Sequence, residues 1–206
     1  PRLRPASGVT LREVAEHDVA DADFLRLIAI LRLSVPYTGL IVTAREPAEL
    51  RKIALGFGVS QIDAGGHIEI GGYEDVDNNE IKDVQVQVLE REQFELGDIR
   101  PLDEVIGQLL KDGYVPSFCT ACYRLGRTGK VFMEYAIPGF IQKMCTPNAL
   151  TTLKEYLVDH ASPETKAIGE KVLQNELDKL PNSPQKSEII KRIERINNSQ
   201  DRDLYF

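Results

Sequence analysis

The chain has 206 residues and 23.1 kDa, enough to bury a core as one large or two small domains. Its net charge of -7 argues against a general nucleic-acid binder, which is normally basic, and no apolar run approaches the ~18 residues of a membrane span. Three cysteines, two of them at CxxC spacing, exclude a disulfide scaffold and point to a reducing, cytoplasmic setting.

The opening PRLRPA reads as the last residues of a preceding strand, and the chain as one cut from the middle of something longer. Residues 22 to 33 place Phe24, Leu25, Ile28 and Leu31 on one helical stripe, with Asp21 as its cap. Pro36 limits that helix. An apolar β-branched run over 38 to 43 predicts a strand. Glu46 to Phe57 predicts a helix with Pro47 in its first turn, presenting Leu50, Ile53, Ala54 and Phe57 and closing on Gly58. Val59 to Ile62 predicts a second strand. Helix, strand, helix and strand with tight links indicate a parallel α/β sheet covered by helices. Residues 64 to 80 read as a glycine-rich acidic loop, and Val84, Val86 and Val88 alternate with glutamines as a half-exposed strand or extended arm. Pro101 to Lys111 predicts a clean amphipathic helix.

Beyond Val115 the pattern changes. Pro116 to Gly129 reads as irregular, 130 to 135 fits strand or helix, and Pro138 to Met144 reads as a helical turn ending at Cys145. Helices are predicted over Pro147 to His160, from the Ser162-Pro163-Glu164 start to Pro181, and over Pro184 to Ile196 with Ile189, Ile190 and Ile193 inward. The closing DRDLYF is a tail, loose or tethered. The predicted domains are 1–112 and 113–206, the second mainly helical.

Charge is unevenly spread. Residues 63 to 112 hold 14 acids and 4 bases, a local charge of -10, which leaves +3 elsewhere. The segment CTACYRLGRTGK carries Arg124, Arg127 and Lys130 with no acid. Those cations suit either a solvated loop or an anionic ligand beside the cysteines.

Cys119-Thr-Ala-Cys122, followed by Cys145 after 22 residues, is the sharpest chemical signal. Two thiolates from one loop can grip one metal centre, and a third from elsewhere closes it. Three readings stay open: a 4Fe-4S cluster with one iron not held by cysteine, a zinc site completed by His or Asp, and unrelated or redox thiols. Arg124 and Arg127 would suit an anionic cluster. Thr43 and Arg45 follow the first strand, and Asp63 ends the second. Arg45 could clamp a carboxylate and Asp63 accept from an ammonium, as an amino-acid-binding pair; the competing reading pairs Arg45 with Glu49 at the helix start. Arg2 and Arg4, near a strand end, could meet an anionic cofactor. His67, in the glycine-rich loop, is a candidate cavity residue, His17 a surface residue, and His160 a partner of a helix C-terminus.

The strings VPYTGLIVTAREPAELR, FELGD, DGYVPSFCTACYRLGRTG and CTPNALTTLKEYL closely resemble one family over essentially the whole chain. It is the HydG family of tyrosine lyases in the radical S-adenosylmethionine superfamily, which mature FeFe-hydrogenases. The first half also resembles the thiamine-pathway 2-iminoacetate synthase ThiH, without this cysteine set. The resemblance implies the last strands and helices of a (β/α)8 TIM barrel, including its biotin and thiamin synthesis-associated region, followed by a mostly helical C-terminal domain. It implies cleavage of S-adenosylmethionine at a first 4Fe-4S cluster and breakage of L-tyrosine into p-cresol and dehydroglycine. It further implies conversion of dehydroglycine to CO and cyanide at an auxiliary 4Fe-4S cluster with an additional iron, held by Cys119, Cys122 and Cys145. Arg45, Thr43 and Asp63 fit the position where such enzymes hold the amino acid. A hydrogenase-maturation scaffold protein is the implied partner. The CxxxCxxC loop of the family is absent from this chain, so the radical chemistry would need the N-terminal barrel portion, which would also carry the histidine for the extra iron.

Overall fold

Two carboxylates in the first turn, Asp21 and Asp23, and Arg32 in the last complement the dipole of α1, Asp21–Ser34. Ala20 occupies the cap position without a side-chain bond, so Asp21 is not the predicted cap but a first-turn residue, drawn aside by Arg2 at 2.7 Å. The computed structural model describes residues 2–8, 18–66, 68, 87, 90 and 92–206. They form two compact units, Pro1–Leu102 and Asp103–Phe206. The predicted arm over Val84 to Val88, His17, His67 and most of the glycine-rich loop lie outside the described residues.

In the first unit, β1 (Ile41–Val42) pairs in parallel with β2 (Gln61–Ile62), Ile41 opposite Gln61 and Val42 opposite Ile62. Helix α2, Ala48–Gly56, makes the crossover. Both strands are shorter than the sequence predicts. The Leu40 N–H is taken by the Ser60 hydroxyl at 3.0 Å, and Ser60 and Gln61 both donate to the Leu40 carbonyl, so the ladder gives way to a side-chain bond just before Ile41. No strand forms among the described opening residues: the Arg2 N–H goes to the Glu46 carboxylate, and Pro5 has none to give. Phe24, Ile28, Val42, Leu50, Ala54 and Val59 make the core. Leu31, Ile53 and Phe57, predicted inward, are exposed. α2 closes as a Schellman turn, with Gly58 N–H on the Leu55 carbonyl and Val59 N–H on that of Ala54.

The second unit is helical: α3 (Leu102–Lys111), α4 (Ala121–Arg124), α5 (Gly129–Ala136), α6 (Gln142–Asp159), α7 (Pro163–Lys179) and α8 (Pro184–Asn198). The ambiguous stretch at 130 to 135 is helical. The turn predicted to end at Cys145 instead runs on into α6, which packs against α7 and α8. Pro147 sits inside α6 and removes the donor for the Lys143 carbonyl; Gln185 Nε2 of α8 supplies one at 2.7 Å. Leu150, Leu153, Tyr156 and Leu157 point inward as predicted. Ser162 and Ser183 cap α7 and α8 by accepting from the Thr165 and Lys186 amides, each with Pro at the helix start. Ile190 is exposed and Ile189 takes the core position. No helix among the described residues is long and apolar enough to cross a membrane.

One carboxylate ties three helices together. Asp103 accepts from the Tyr156 hydroxyl at 2.8 Å, the Ser162 amide at 3.2 Å and the Thr165 hydroxyl at 2.9 Å. Burial pushes the Asp103 carboxyl up, but bonds from Ser162, Tyr156 and Thr165 together outweigh it and hold the group below its ordinary value. The same burial and the Asp103 charge push the Tyr156 hydroxyl up.

A depressed carboxyl contributes stability that is present above its unfolded value, about pH 4, and lost as pH falls through the folded one. Asp103→Asn should therefore lower stability at neutral pH and make the acid-side loss shallower, read by denaturant melts from neutral to acid pH. A parallel wild-type and variant slope would contradict this. At Gly169 an added Cβ would lie 2.8 Å from Leu157 Cδ1 and 3.1 Å from its Cγ, and Leu157 is fully buried. The helix-propensity gain of Gly169→Ala, about 1 kcal/mol, is offset by overpacking of about 1–3 kcal/mol. Thermal unfolding should show a lower Tm.

Candidate metal centre

The CxxC segment folds as a turn entering α4. The Ala121 amide donates to Cys119 Sγ at 3.4 Å, and the Cys119 amide donates to Ser117 Oγ at 3.3 Å. Cys122 lies within α4, and its carbonyl accepts from the Arg127 amide at 2.8 Å. Cys145 comes from the first turn of α6, the positive end of that helix's dipole. All three thiols are free, Cys119 and Cys122 half-buried and Cys145 exposed as a residue.

Electrostatics link the two segments. Desolvation pushes the Cys145 thiol up, and Cys122 and then Cys119 push it further, while Arg127 pulls it down. Among the described residues, no three or more His, Cys, Asp or Glu side chains close into a set that would hold a metal ion as they stand. The donor chemistry nevertheless fits a sulfur-bound centre: three soft thiols, no fourth, and a cation beside them.

The two arginines of the basic island part ways. Arg124 is exposed and forms an ion pair with Asp203, its guanidinium 5.5 Å from the Tyr205 ring. Arg127 turns inward. Its Nη1 donates to Met144 Sδ at 2.7 Å and its Nη2 to the Phe206 carbonyl at 3.1 Å. Its Nε is buried with no partner. The closing residues are tethered: Phe206 N–H donates to Asn148 Oδ1 at 2.7 Å, Leu204 N–H to Glu155 Oε1 at 3.1 Å, and Arg202 pairs with Asp159. Met144, Asn148 and Phe206 were not singled out in the sequence. Asn148 stands three residues after Cys145 on one helix, and that spacing was a usable signal.

The first unit holds the other candidates. Arg45 lies with its guanidinium 4.0 Å from the Phe94 ring centre. The Thr43 hydroxyl is buried without a partner. Asp63 is half-exposed, and Arg51 reaches its carboxylate at 3.5 Å and its carbonyl. Arg51 is itself buried on Asp98 at 2.6 Å. Arg2 grips the fully buried Glu46 at 2.7 Å, and Arg4 donates to the Arg45 carbonyl. Burial pushes the Glu46 carboxyl up, and bonds from Arg2 outweigh it and hold the group low. Gly97, in the FELGD string, threads against this turn: a Cβ there would lie 2.6 Å from Pro47 N and 2.7 Å from the Arg45 carbonyl. Arg45, Thr43 and Arg4 are thus brought to one turn.

Residues 1–115 match the family described as the Biotin and Thiamin Synthesis associated domain. Solved structures that match the chain include two FeFe-hydrogenase maturases. One, described as HydG, a maturase of the FeFe-hydrogenase, is 42% identical over 100% of this chain and 42% of its own, with a TM-score of 0.88. The other, the FeFe-hydrogenase maturase HydG from Carboxydothermus hydrogenoformans, is 35% identical over 96% of this chain and 38% of its own, with a TM-score of 0.65. No curated protein matches. The chain spans about two fifths of the length of the HydG chains that it matches. It belongs to the Biotin and Thiamin Synthesis associated domain family, with a likeness to the HydG maturases that runs along its whole length.

Proposed function

We propose that this chain is the auxiliary-cluster portion of a radical S-adenosylmethionine tyrosine lyase serving FeFe-hydrogenase maturation. The observation that carries the reading is the presence of three free thiols, Cys119, Cys122 and Cys145, on segments bridged by Arg127, in a chain that matches HydG from end to end. Cys119, Cys122 and Cys145 would hold a 4Fe-4S cluster with an additional iron. When bound, that centre supplies an open, electron-rich iron position suited to CO and cyanide. In the whole enzyme, S-adenosylmethionine, a second 4Fe-4S cluster and the N-terminal barrel portion complete the machinery, and L-tyrosine is the substrate. Dehydroglycine from tyrosine is the source of CO and cyanide, and a maturation scaffold protein is the recipient. Three free thiols suit a cytoplasmic setting.

The chain's own residues do the holding. Arg45, kept in place by Phe94 and by Arg4 on its carbonyl, presents a planar fork to the substrate carboxylate. The unpartnered Thr43 hydroxyl adds a hydrogen bond. Asp63, half-exposed, accepts from the ammonium. Arg2 and Arg4 can meet an anionic cofactor only in competition with Glu46 and the Arg45 carbonyl. Arg124 faces Asp203, whereas Arg127 bonds Met144, the neighbour of Cys145.

In the full-length enzyme, reconstituted anaerobically, Cys145→Ala should leave p-cresol formation largely intact while CO release is lost. Equal loss of both products would contradict the division of roles. A colourless protein holding zinc at these thiols would instead make this a structural metal module. Arg45→Gln should raise the KM for tyrosine at least about tenfold, the cost of a charge-assisted pair, with S-adenosylmethionine affinity unchanged. Steady-state kinetics with each substrate varied would show it.

A further inference from the structure

Arg127 is the residue that spans the two cysteine-bearing segments. Its amide bonds the Cys122 carbonyl, and its side chain reaches Met144, the neighbour of Cys145. Phe206, held by Asn148 from three residues further along α6, takes its Nη2. The remaining donors are badly served. A thioether is a weak acceptor for a guanidinium, and Nε is buried with none at all. A cation with a donor to spare, bonded to both cysteine-bearing segments, is short of one anionic partner. Arg124, exposed and already paired with Asp203, has no such deficit.

We propose that Arg127, and not Arg124, is the charge partner of the sulfur centre, donating a hydrogen bond to a cysteinyl or inorganic sulfur and offsetting its negative charge. This rests on the proposed cluster at the three cysteines. Removing the charge makes the centre harder to reduce, because an added electron then meets less positive potential. Removing the donors loosens retention.

The test uses full-length protein reconstituted anaerobically with iron and sulfide, and follows the paramagnetic signal that Cys145→Ala abolishes. In Arg127→Gln, the potential of that signal should move to more negative values. Its iron should be lost to a chelator at least about tenfold faster, the scale of a lost charge-assisted bond. Arg127→Lys keeps the charge without the fork, so its potential should stay near wild type while iron loss still accelerates. Arg124→Gln should match wild type in both. If Arg127→Gln keeps the wild-type potential and retention, or Arg124→Gln shifts as far, the inference is overturned and the cluster reading stands. If wild type shows no such signal, both fall. Should Arg127→Gln not fold, a wild-type retention rate in Arg127→Lys overturns the role of the fork.

Discussion

If Cys119, Cys122 and Cys145 share one centre, as proposed, the segments that carry them must be held in place before anything neutralises the sulfurs, because gathered thiolates repel. The second unit links those segments chiefly through Arg127 and the closing residues. The Arg127 amide fastens onto the Cys122 carbonyl, its guanidinium onto Met144 and Phe206, and Asn148 holds Phe206 from α6. Behind them, the buried leucines of α6 and the Asp103 junction fix the helix that carries Cys145. The two segments that carry the thiols are thereby linked through backbone and arginine, and all three thiols are free.

The first unit uses a different device. Its two-stranded parallel pair is small, and charged groups with buried partners replace much of what a larger sheet would provide. Glu46 and Asp98 are both buried, Glu46 held ionised by the distant Arg2 and Asp98 by its near neighbour Arg100 and by Arg51. Removing one partner of such a pair leaves an uncompensated charge. The turn bearing Thr43 and Arg45 is therefore shaped by Arg2, Arg4 and the close passage of Gly97.

Long periodic helices were legible in the sequence because capping residues and apolar spacing agree: Ser162 with Pro163, Ser183 with Pro184, and the leucines of α6. The strands were legible in place but not in length, since an alternating apolar run does not reveal that Ser60 captures the Leu40 amide. Helix α6 hid its true start because Pro147 ordinarily marks a beginning, whereas here Gln185 satisfies the carbonyl it orphans. The three cysteines stood out by spacing. The separate fates of Arg124 and Arg127 did not, because they depend on Asp203 and Phe206 more than seventy residues away.

Pro147 has a mechanical consequence for the thiol upstream of it. The turn holding Cys145 joins the body of α6 with one rung of the helical ladder missing, and a side chain from α8 stands in for that rung. The helix is thus divided into a stiff arm, seated in leucine packing, and a short wrist. Cys145 sits on the wrist, upstream of the leucines that seat the arm, so the proposed role of its sulfur makes no demand on that packing.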